Sequence, residues 1–299
     1  STAMALRRWS THARFLPAGF FPRKSTPNSW NSSCSNRISK AFSTDNGENK
    51  LCMVYGGAGG LGSGIVDTFS QAGWQTASVD LIGNQAADHS LLIPSGDAWG
   101  VASKKISDQL TEMKIVPDVI VNAAGGWGGG SVCDEKIFET VDVMLSQNLL
   151  SAFASGYLAS NHLAKNGLLV LVGAAAVASG GSSSGMAGYA AAKAGVHNLV
   201  STLAEEEGLG AKATVIGIMP NVIDTPGNRQ AMPNADHDKW TKPSVFAKAI
   251  LHWASDGSAT EKFPKLENGQ FYTFETLKSG KSIADYINGV ETAYLYKSE

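Results

Sequence analysis

Lys50-Leu51-Cys52-Met53-Val54-Tyr55-Gly56-Gly57-Ala58-Gly59-Gly60-Leu61-Gly62-Ser63-Gly64-Ile65-Val66-Asp67-Thr68-Phe69 reads as strand, glycine turn and helix. Residues 51–55 form a short apolar run suited to a buried parallel strand, and Leu61, Ile65, Val66 and Phe69 then recur at helical spacing. The turn between them needs residues that tolerate positive φ and carry no Cβ, so that backbone N–H groups and the helix N-terminus can approach a pyrophosphate. Gly56, Gly57, Gly60, Leu61 and Gly62 are therefore the candidate cofactor contacts of this stretch. They satisfy two overlapping templates, Gly57-x-Gly59-x-x-Gly62 and Gly56-x-x-x-Gly60-x-Gly62, although in a chain with 33 glycines either pattern alone also fits an ordinary turn.

The following strand decides between those readings. Trp74-Gln75-Thr76-Ala77-Ser78-Val79-Asp80 ends in an acid 18 residues beyond Gly62, where a ribose-binding carboxylate belongs. A carboxylate accepts both adenosine ribose hydroxyls but repels a 2′-phosphate, and Leu81-Ile82-Gly83-Asn84 supplies no arginine to compensate, so NADH is expected over NADPH. The alternative is a solvated acid at a strand end.

Outward from this pair, further strands are expected at Ser90–Ile93, Asp118–Asn122, Leu168–Val172, Ala213–Met219 and Gly269–Phe274. Helices are expected where Ile106, Leu110 and Met113 repeat, over 137–165 on a stripe of Met144, Leu145, Asn148, Leu149 and Phe153, from near Tyr189 through Leu203, and over 246–253. Residues 221–240 are polar and irregular, as a lid over a site would be. The alternation predicts an α/β, Rossmann-type doubly wound fold: a mostly parallel seven-stranded sheet with helices on both faces. The fourth strand runs into Ala123-Ala124-Gly125-Gly126-Trp127, and such small residues at the carboxyl end of a central strand leave room for a ligand.

This domain spans 45–299. Residues 1–44 differ: they hold Arg7, Arg8, Arg14, Arg23, Lys24, Arg37 and Lys40, many serines and no acid, a composition like that of a transit peptide. Mitochondrial import is the expectation for this extension, with the cytoplasm or another organelle as alternatives and a disordered basic tail as the bland reading. Without it the net charge moves from −2 to −9, which argues against nucleic-acid binding. The longest apolar run, 167–178, is too short to cross a bilayer. Cys34, Cys52 and Cys133 are too scattered for a disulfide framework, and the six histidines show no metal-ligand spacing.

Tyr189-Ala190-Ala191-Ala192-Lys193 places a phenol and an ammonium at i and i+4, on one helix face. An isolated YxxxK is usually a surface pair. Downstream of a nucleotide loop, an acid-tipped second strand and a Gly-rich fourth loop, the pair resembles the proton donor of the short-chain dehydrogenases, and a nearby lysine charge would lower the tyrosine pKa from about 10 toward the working range of a general acid. Lys193 would also hold the nicotinamide ribose.

With these residues the sequence resembles the short-chain dehydrogenase/reductases and, more narrowly, the quinonoid dihydropteridine reductases. The narrower resemblance rests on Val54-Tyr55-Gly56-Gly57, Ala124-Gly125-Gly126-Trp127-Gly128-Gly129, Gly185-Met186-Ala187-Gly188-Tyr189, Pro220-x-x-x-Asp224-Thr225-Pro226-x-Asn228-Arg229 and Met232-Pro233-x-Ala235-Asp236-x-x-x-Trp240. It covers residues 50–275 and implies NADH-dependent reduction of a quinonoid dihydropterin, such as dihydrobiopterin, to tetrahydrobiopterin. It implies Tyr189 as proton donor, Lys193 as its tuning partner and a further cofactor contact, and Trp127 as the stacking surface for the pterin substrate. A tryptophan packed into the core is the alternative for Trp127. Asn148 matches a superfamily asparagine that supports the lysine through water, with a structural residue of the helix stripe as the equal alternative. Asn122, Ala123, Ala124 and Gly125 match an adenine-side element in which Val121 replaces the first asparagine, and Pro220 joins the cofactor side. Asp224, Thr225, Asn228 and Arg229 would close over the nicotinamide.

The superfamily usually carries a serine upstream of the tyrosine to polarise a carbonyl, whereas Gly173-Ala174-Ala175-Ala176 offers none. A quinonoid pterin accepts hydride onto nitrogen and develops no alkoxide, so it needs no such hydroxyl. Ser179, Ser182, Ser183 and Ser184 lie in a loop that could substitute. Two other functions remain open: a reductase of another quinonoid or carbonyl compound, and a catalytically idle NAD(H)-binding protein. The resemblance further implies a homodimer or homotetramer paired through the helices near 137–165 and 188–206.

Overall fold

The computed structural model describes residues 50–178, 183–209, 212–255, 260, 263, 265–275 and 294–297. The basic segment 1–44, Cys34, Ser179 and Ser182 lie outside the described residues.

The chain runs β1 (Leu51–Tyr55), α1 (Gly60–Gln71), β2 (Gln75–Asp80), β3 (His89–Leu92), α2 (Trp99–Glu112) and β4 (Val119–Asn122). It continues through α3 (Ile137–Met144), a π-helical segment (Leu145–Leu150), α4 (Ser151–His162), β5 (Leu168–Val172), the single turn α5 (Ala175–Ala178) and α6 (Ala187–Glu205). It ends with β6 (Thr214–Met219), α7 (Pro226–Ala231), a 3₁₀ turn (His237–Lys239), α8 (Pro243–Ser255), β7 (Phe271–Glu275) and β8 (Tyr294–Lys297). Strand order is β3-β2-β1-β4-β5-β6-β7-β8. The first seven strands are parallel, as the sequence predicts; an eighth, absent from that reading, adds antiparallel to β7 with Tyr272 opposite Lys297. Four residues at the chain's end carry too little periodicity to announce a strand.

β1, β4 and β5 are buried along their whole length, because helices cover both faces of the sheet. Met53, Tyr55, Ile120, Leu169 and Leu171 pack on one face against Ile106, Leu110, Leu158, Val196 and Val200. Cys52, Val54, Val121, Val170 and Ile218 pack on the other against Ile65, Phe69, Phe246 and Ile250. Each such side chain removed from water contributes roughly 1.5–3 kcal/mol. Burial also pushes the Cys52 thiol far above its ordinary range, which keeps it inert.

Helix α1 shows how local sequence sets these boundaries. Gly73, at φ +81°, follows its last turn; Gly73 N–H donates to Ser70 O at 3.0 Å and Trp74 N–H to Phe69 O at 3.1 Å. The Trp74 and Phe69 rings meet edge to face at 5.0 Å, the apolar contact that completes this type of helix stop and starts β2 at the next residue.

The predicted helix over 137–165 is three segments rather than one. Its expected stripe also fails in part: Met144 and Asn148 are buried, but Phe153 is 53% exposed and Leu145 and Leu149 only half-buried. Ser151, Ala152, Ser155, Gly156 and Ala159 form the buried face instead. A Cβ on Gly156 would stand 3.1 Å from Leu203 of α6, so small residues set the spacing of these helices. Met113, expected on the α2 stripe, is likewise 48% exposed just past that helix's end.

Candidate active site

The order of the strands reverses between β1 and β4, and a cavity of about 520 Å³ opens at their carboxyl ends. Its walls are the glycine turn at Gly56 and Gly59, Asp80 to Ile82 after β2, Ile93 to Trp99 after β3, and Ala123 to Gly125 after β4. Gly56 adopts φ +85° and lies so close to Ala124 that a Cβ would strike that residue's backbone; at Gly62 a Cβ would strike Gly56 O. The turn therefore tolerates no side chain at either position.

Side chains then brace it. The Asp80 carboxylate accepts Ala58 N–H at 2.9 Å and Leu81 N–H at 2.6 Å, and Asn84 Nδ2 donates to Gly57 O at 2.7 Å. Asp80 is thus fixed on the cavity wall beside the glycine turn. Gly57 packs on Ser78, whose buried hydroxyl has no partner. Leu61 turns its side chain into the core, leaving only its backbone on the turn, and Asn122 turns its amide away from the cavity to donate to Ser155 Oγ at 2.9 Å. Sequence reasoning missed the wall from Ile93 to Trp99 and the contributions of Ser146 and Gln147. Their position after the third strand and beside Asn148 was the available signal.

On the other side of Gly125 the site is made by α6 and the π-helical segment. Lys193 is buried, donates to Val172 O at 2.7 Å and lies 5.9 Å from the centre of the Tyr189 ring. Burial pushes the Lys193 ammonium down to about 8. Burial also raises the Tyr189 phenol above its ordinary value. This corrects the expectation of a phenol lowered by the lysine: desolvation dominates at both groups, and an ammonium 5.9 Å from the ring centre does not offset it.

Asn148 sits in the π-helical segment, a distortion often found at functional sites. Its Nδ2 donates to Gly126 O and to Met144 O, each at 3.1 Å, while its buried Oδ1 has no partner and faces Gly125. A Cβ on Gly125 would be 2.6 Å from that Oδ1 and 3.6 Å from Lys193 Nζ, so the two polar groups converge on one small space.

The glycine-rich loop after β4 returns to α6. Gly130 N–H donates to Gly185 O at 2.8 Å and Ala187 N–H to Gly130 O at 3.1 Å, a parallel bridge between Gly130 and Met186, three residues ahead of Tyr189. Trp127, on this loop, is 64% exposed, so it is not the core tryptophan of the alternative reading. Ser183 and Ser184 form the turn before Gly185, with Ser183 O taking Met186 N–H at 3.1 Å.

The segment expected as a lid contains α7 and the 3₁₀ turn. Thr225 caps α7 by accepting Asn228 N–H at 3.2 Å, Asn228 Nδ2 donates to Ile223 O at 2.8 Å, and Arg229 grips Asp224 with two bonds of 2.5 and 2.9 Å. These polar groups brace the segment itself. Thr225 also packs against Gly60, whose Cβ would be 2.7 Å from the threonine methyl. Pro220 is buried and accepts Ala175 N–H at 3.1 Å. Among the described residues no group of three or more His, Cys, Asp or Glu side chains could hold a metal, and no helix is long and apolar enough to cross a membrane.

A cavity at the switch point, a backbone cradle without side chains and a carboxylate on the wall fit a dinucleotide. Comparison with known proteins agrees with this chemistry. The profile of the short chain dehydrogenase family matches residues 50–236. Dihydropteridine reductase of Dictyostelium discoideum is 37% identical over 228 residues, 76% of this chain and 95% of that protein. In solved structures the fold recurs in a 4-hydroxyisoleucine dehydrogenase complexed with NADH, at TM-score 0.58 and 22% identity over 75% of this chain and 96% of that one. It recurs too in BdcA in complex with NADPH, at TM-score 0.60 and 20% identity over 75% and 92%. The chain thus belongs to the short-chain dehydrogenase family, within it to the relatives of dihydropteridine reductase, and is an NAD(P)H-dependent oxidoreductase.

Proposed function

We propose that the protein reduces a quinonoid dihydropteridine, dihydrobiopterin being the representative substrate, to the tetrahydropteridine with NADH. The observation that carries the reading is the bridge from Gly130 to Gly185 and Ala187, which ties the loop bearing an exposed indole to the start of the helix bearing Tyr189. The likeness to the Dictyostelium dihydropteridine reductase supports the same substrate class.

The dinucleotide supplies the hydride when bound. The glycine turn and the N-terminus of α1 would hold its pyrophosphate, and Asp80 its adenosine ribose. Lys193 would hold the nicotinamide ribose and stand by the phenol, and Trp127 would offer a flat apolar surface to the pterin. Tyr189 would hold the proton that reduction consumes. Its raised pKa keeps it protonated at neutral pH, as a donor must be. The turn after β5 carries alanines where a carbonyl reductase would need a hydroxyl, which favours a substrate that develops no alkoxide. Preference for NADH rests on Asp80 and the absence of an arginine at 81–84.

The assay is NADH oxidation with a quinonoid dihydropterin and, separately, with simple ketones. Turnover of the pterin, slowed by Tyr189→Phe, is the expected result. Undiminished turnover in that variant removes the phenol as donor, turnover of ketones alone removes the pterin, and NADH binding without any turnover leaves an idle binding protein.

Two further proposals accompany this one. Val143, Leu150, Phe153 and Tyr157 form an exposed apolar stripe along α3, the π-helical segment and α4, which supports pairing with a second copy into a dimer or tetramer. Sedimentation of Phe153→Asp as a smaller species than the wild type is the expected result. The acid-free basic segment 1–44 supports mitochondrial import, checked by the location of a fluorescent fusion with and without it.

A further inference from the structure

Helix α6 carries three polar side chains one turn apart, Tyr189, Lys193 and His197, and the third has no part in the function above. Ala174 N–H donates to His197 Nε2 at 3.1 Å. A ring nitrogen that accepts an N–H carries no proton, so His197 is held as the neutral tautomer protonated on Nδ1. Its ring stands edge-on to Phe271 at 5.2 Å, which fixes the imidazole plane.

The residue it holds lies two positions beyond Val172, whose carbonyl takes the Lys193 ammonium at 2.7 Å. Consecutive groups of this turn are therefore all anchored from outside. Val172 O is held by Lys193, Gly173 N–H by Ile218 O at 2.8 Å, Ala174 N–H by His197, and Ala175 N–H by Pro220 O at 3.1 Å. Ala174, Ala175 and Ala176 have no polar side-chain atoms, so the turn cannot brace itself. Gly173 completes the arrangement: a Cβ there would strike His197 Nε2 and stand 2.6 Å from its Cδ2. Position 173 is not among the glycines at positive φ, so what excludes a side chain is the imidazole and not the backbone conformation.

We propose that His197 is a positioning residue for Lys193: it fixes the backbone of residues 172–174 from α6, so that the Val172 carbonyl stays in place to aim the ammonium. The proposal rests on the reading above only in giving Lys193 its task toward cofactor and phenol. Lysine and histidine, one turn apart on one helix, grip two points of one short turn, and loss of the second grip frees the first.

The test compares His197→Gln, His197→Leu and Gly173→Ala in the full chain with NADH. A glutamine oxygen can accept the Ala174 N–H from the place of Nε2, whereas leucine keeps the bulk and loses the acceptor. His197→Leu is expected to lower kcat about tenfold with the pterin KM little changed, and His197→Gln to restore it to within about twofold. Gly173→Ala should resemble His197→Leu, and combining the two should cost no more than either alone. Equal rates in the glutamine and leucine variants, or a folded leucine variant with wild-type kcat, overturn the proposal. Nitrogen-15 NMR of the wild type provides a check that needs no variant to fold: a protonated Nε2 on His197 also overturns it. Should no pterin be turned over, NADH affinity measured across the same variants still reads the lysine's placement. Weakened binding in His197→Leu, restored in His197→Gln, then sustains the positioning role while the substrate assignment fails; equal affinities reject it.

Discussion

The two halves of the site are built by different means. The nucleotide half is a backbone structure, a glycine turn pressed against Ala124 with no space for a Cβ, braced by Asp80 and Asn84. The half around Tyr189, proposed as catalytic, is held by side chains reaching across to backbone carbonyls and amides: Lys193 to Val172, His197 to Ala174, Asn148 to Gly126. A backbone cradle fails when anything is added to it. A latch of side chains fails when something is taken away, and it fails locally.

The largest expected effect comes from adding to the cradle. Gly56→Val forces a branched residue to positive φ against Ala124 and should cost about 3 kcal/mol or more, with NADH binding lost; thermal denaturation and a binding titration check it.

Next comes removal of the latch at its centre. Lys193→Met should lower kcat about a hundredfold yet leave the protein no less stable at pH 7. The sign follows from burial, which lowers the lysine pKa to about 8 from an ordinary 10.5. Below pH 8 the folded wild type bears the full cost of a buried charge, on the order of 3 kcal/mol, and the cost fades as pH rises toward 10.5. The stability advantage of the methionine variant should therefore shrink across that window. Wild-type kcat should fall as pH rises through about 8, where the ammonium is lost. A methionine variant markedly less stable at pH 7 would place Lys193 among the structural residues.

A smaller effect separates binding from preference. Asp80→Ala should shift the ratio of kcat/KM for NADH over NADPH toward NADPH by about tenfold or more, if the proposed preference for NADH holds through this carboxylate. Trp127→Ala should act least on the fold, raising the pterin KM by about tenfold while stability moves within about 0.5 kcal/mol, since the indole is mostly solvent-exposed.

The same contrast explains what the sequence made legible. A backbone cradle needs particular residues at particular spacings, so the glycine turn from Gly56 to Gly62 and the acid that ends β2 beside it could be read directly, as could the central strands β1, β4 and β5 with their continuous apolar runs. Side-chain latches leave little periodic trace: nothing around His197 marks its bond to Ala174, and the π-helical segment around Asn148 keeps an apolar content that suits an ordinary helix. The failed stripe through Phe153 has a related cause. Where helices approach closely, their buried faces are made of Ser, Ala and Gly, so the large apolar residues that dominate a hydrophobic pattern end up facing outward.

The bridge joining Gly130 to Gly185 and Ala187 makes one mechanical piece of the indole's loop and the phenol's helix. A ligand that shifts the backbone of this loop would, on the proposed reading, also shift the start of the helix that carries Tyr189. Flat rings of the wrong outline should consequently be caught almost as firmly as the right one and yet turn over slowly, so that this enzyme would discriminate by rate at saturation and be easily clogged by inert look-alikes.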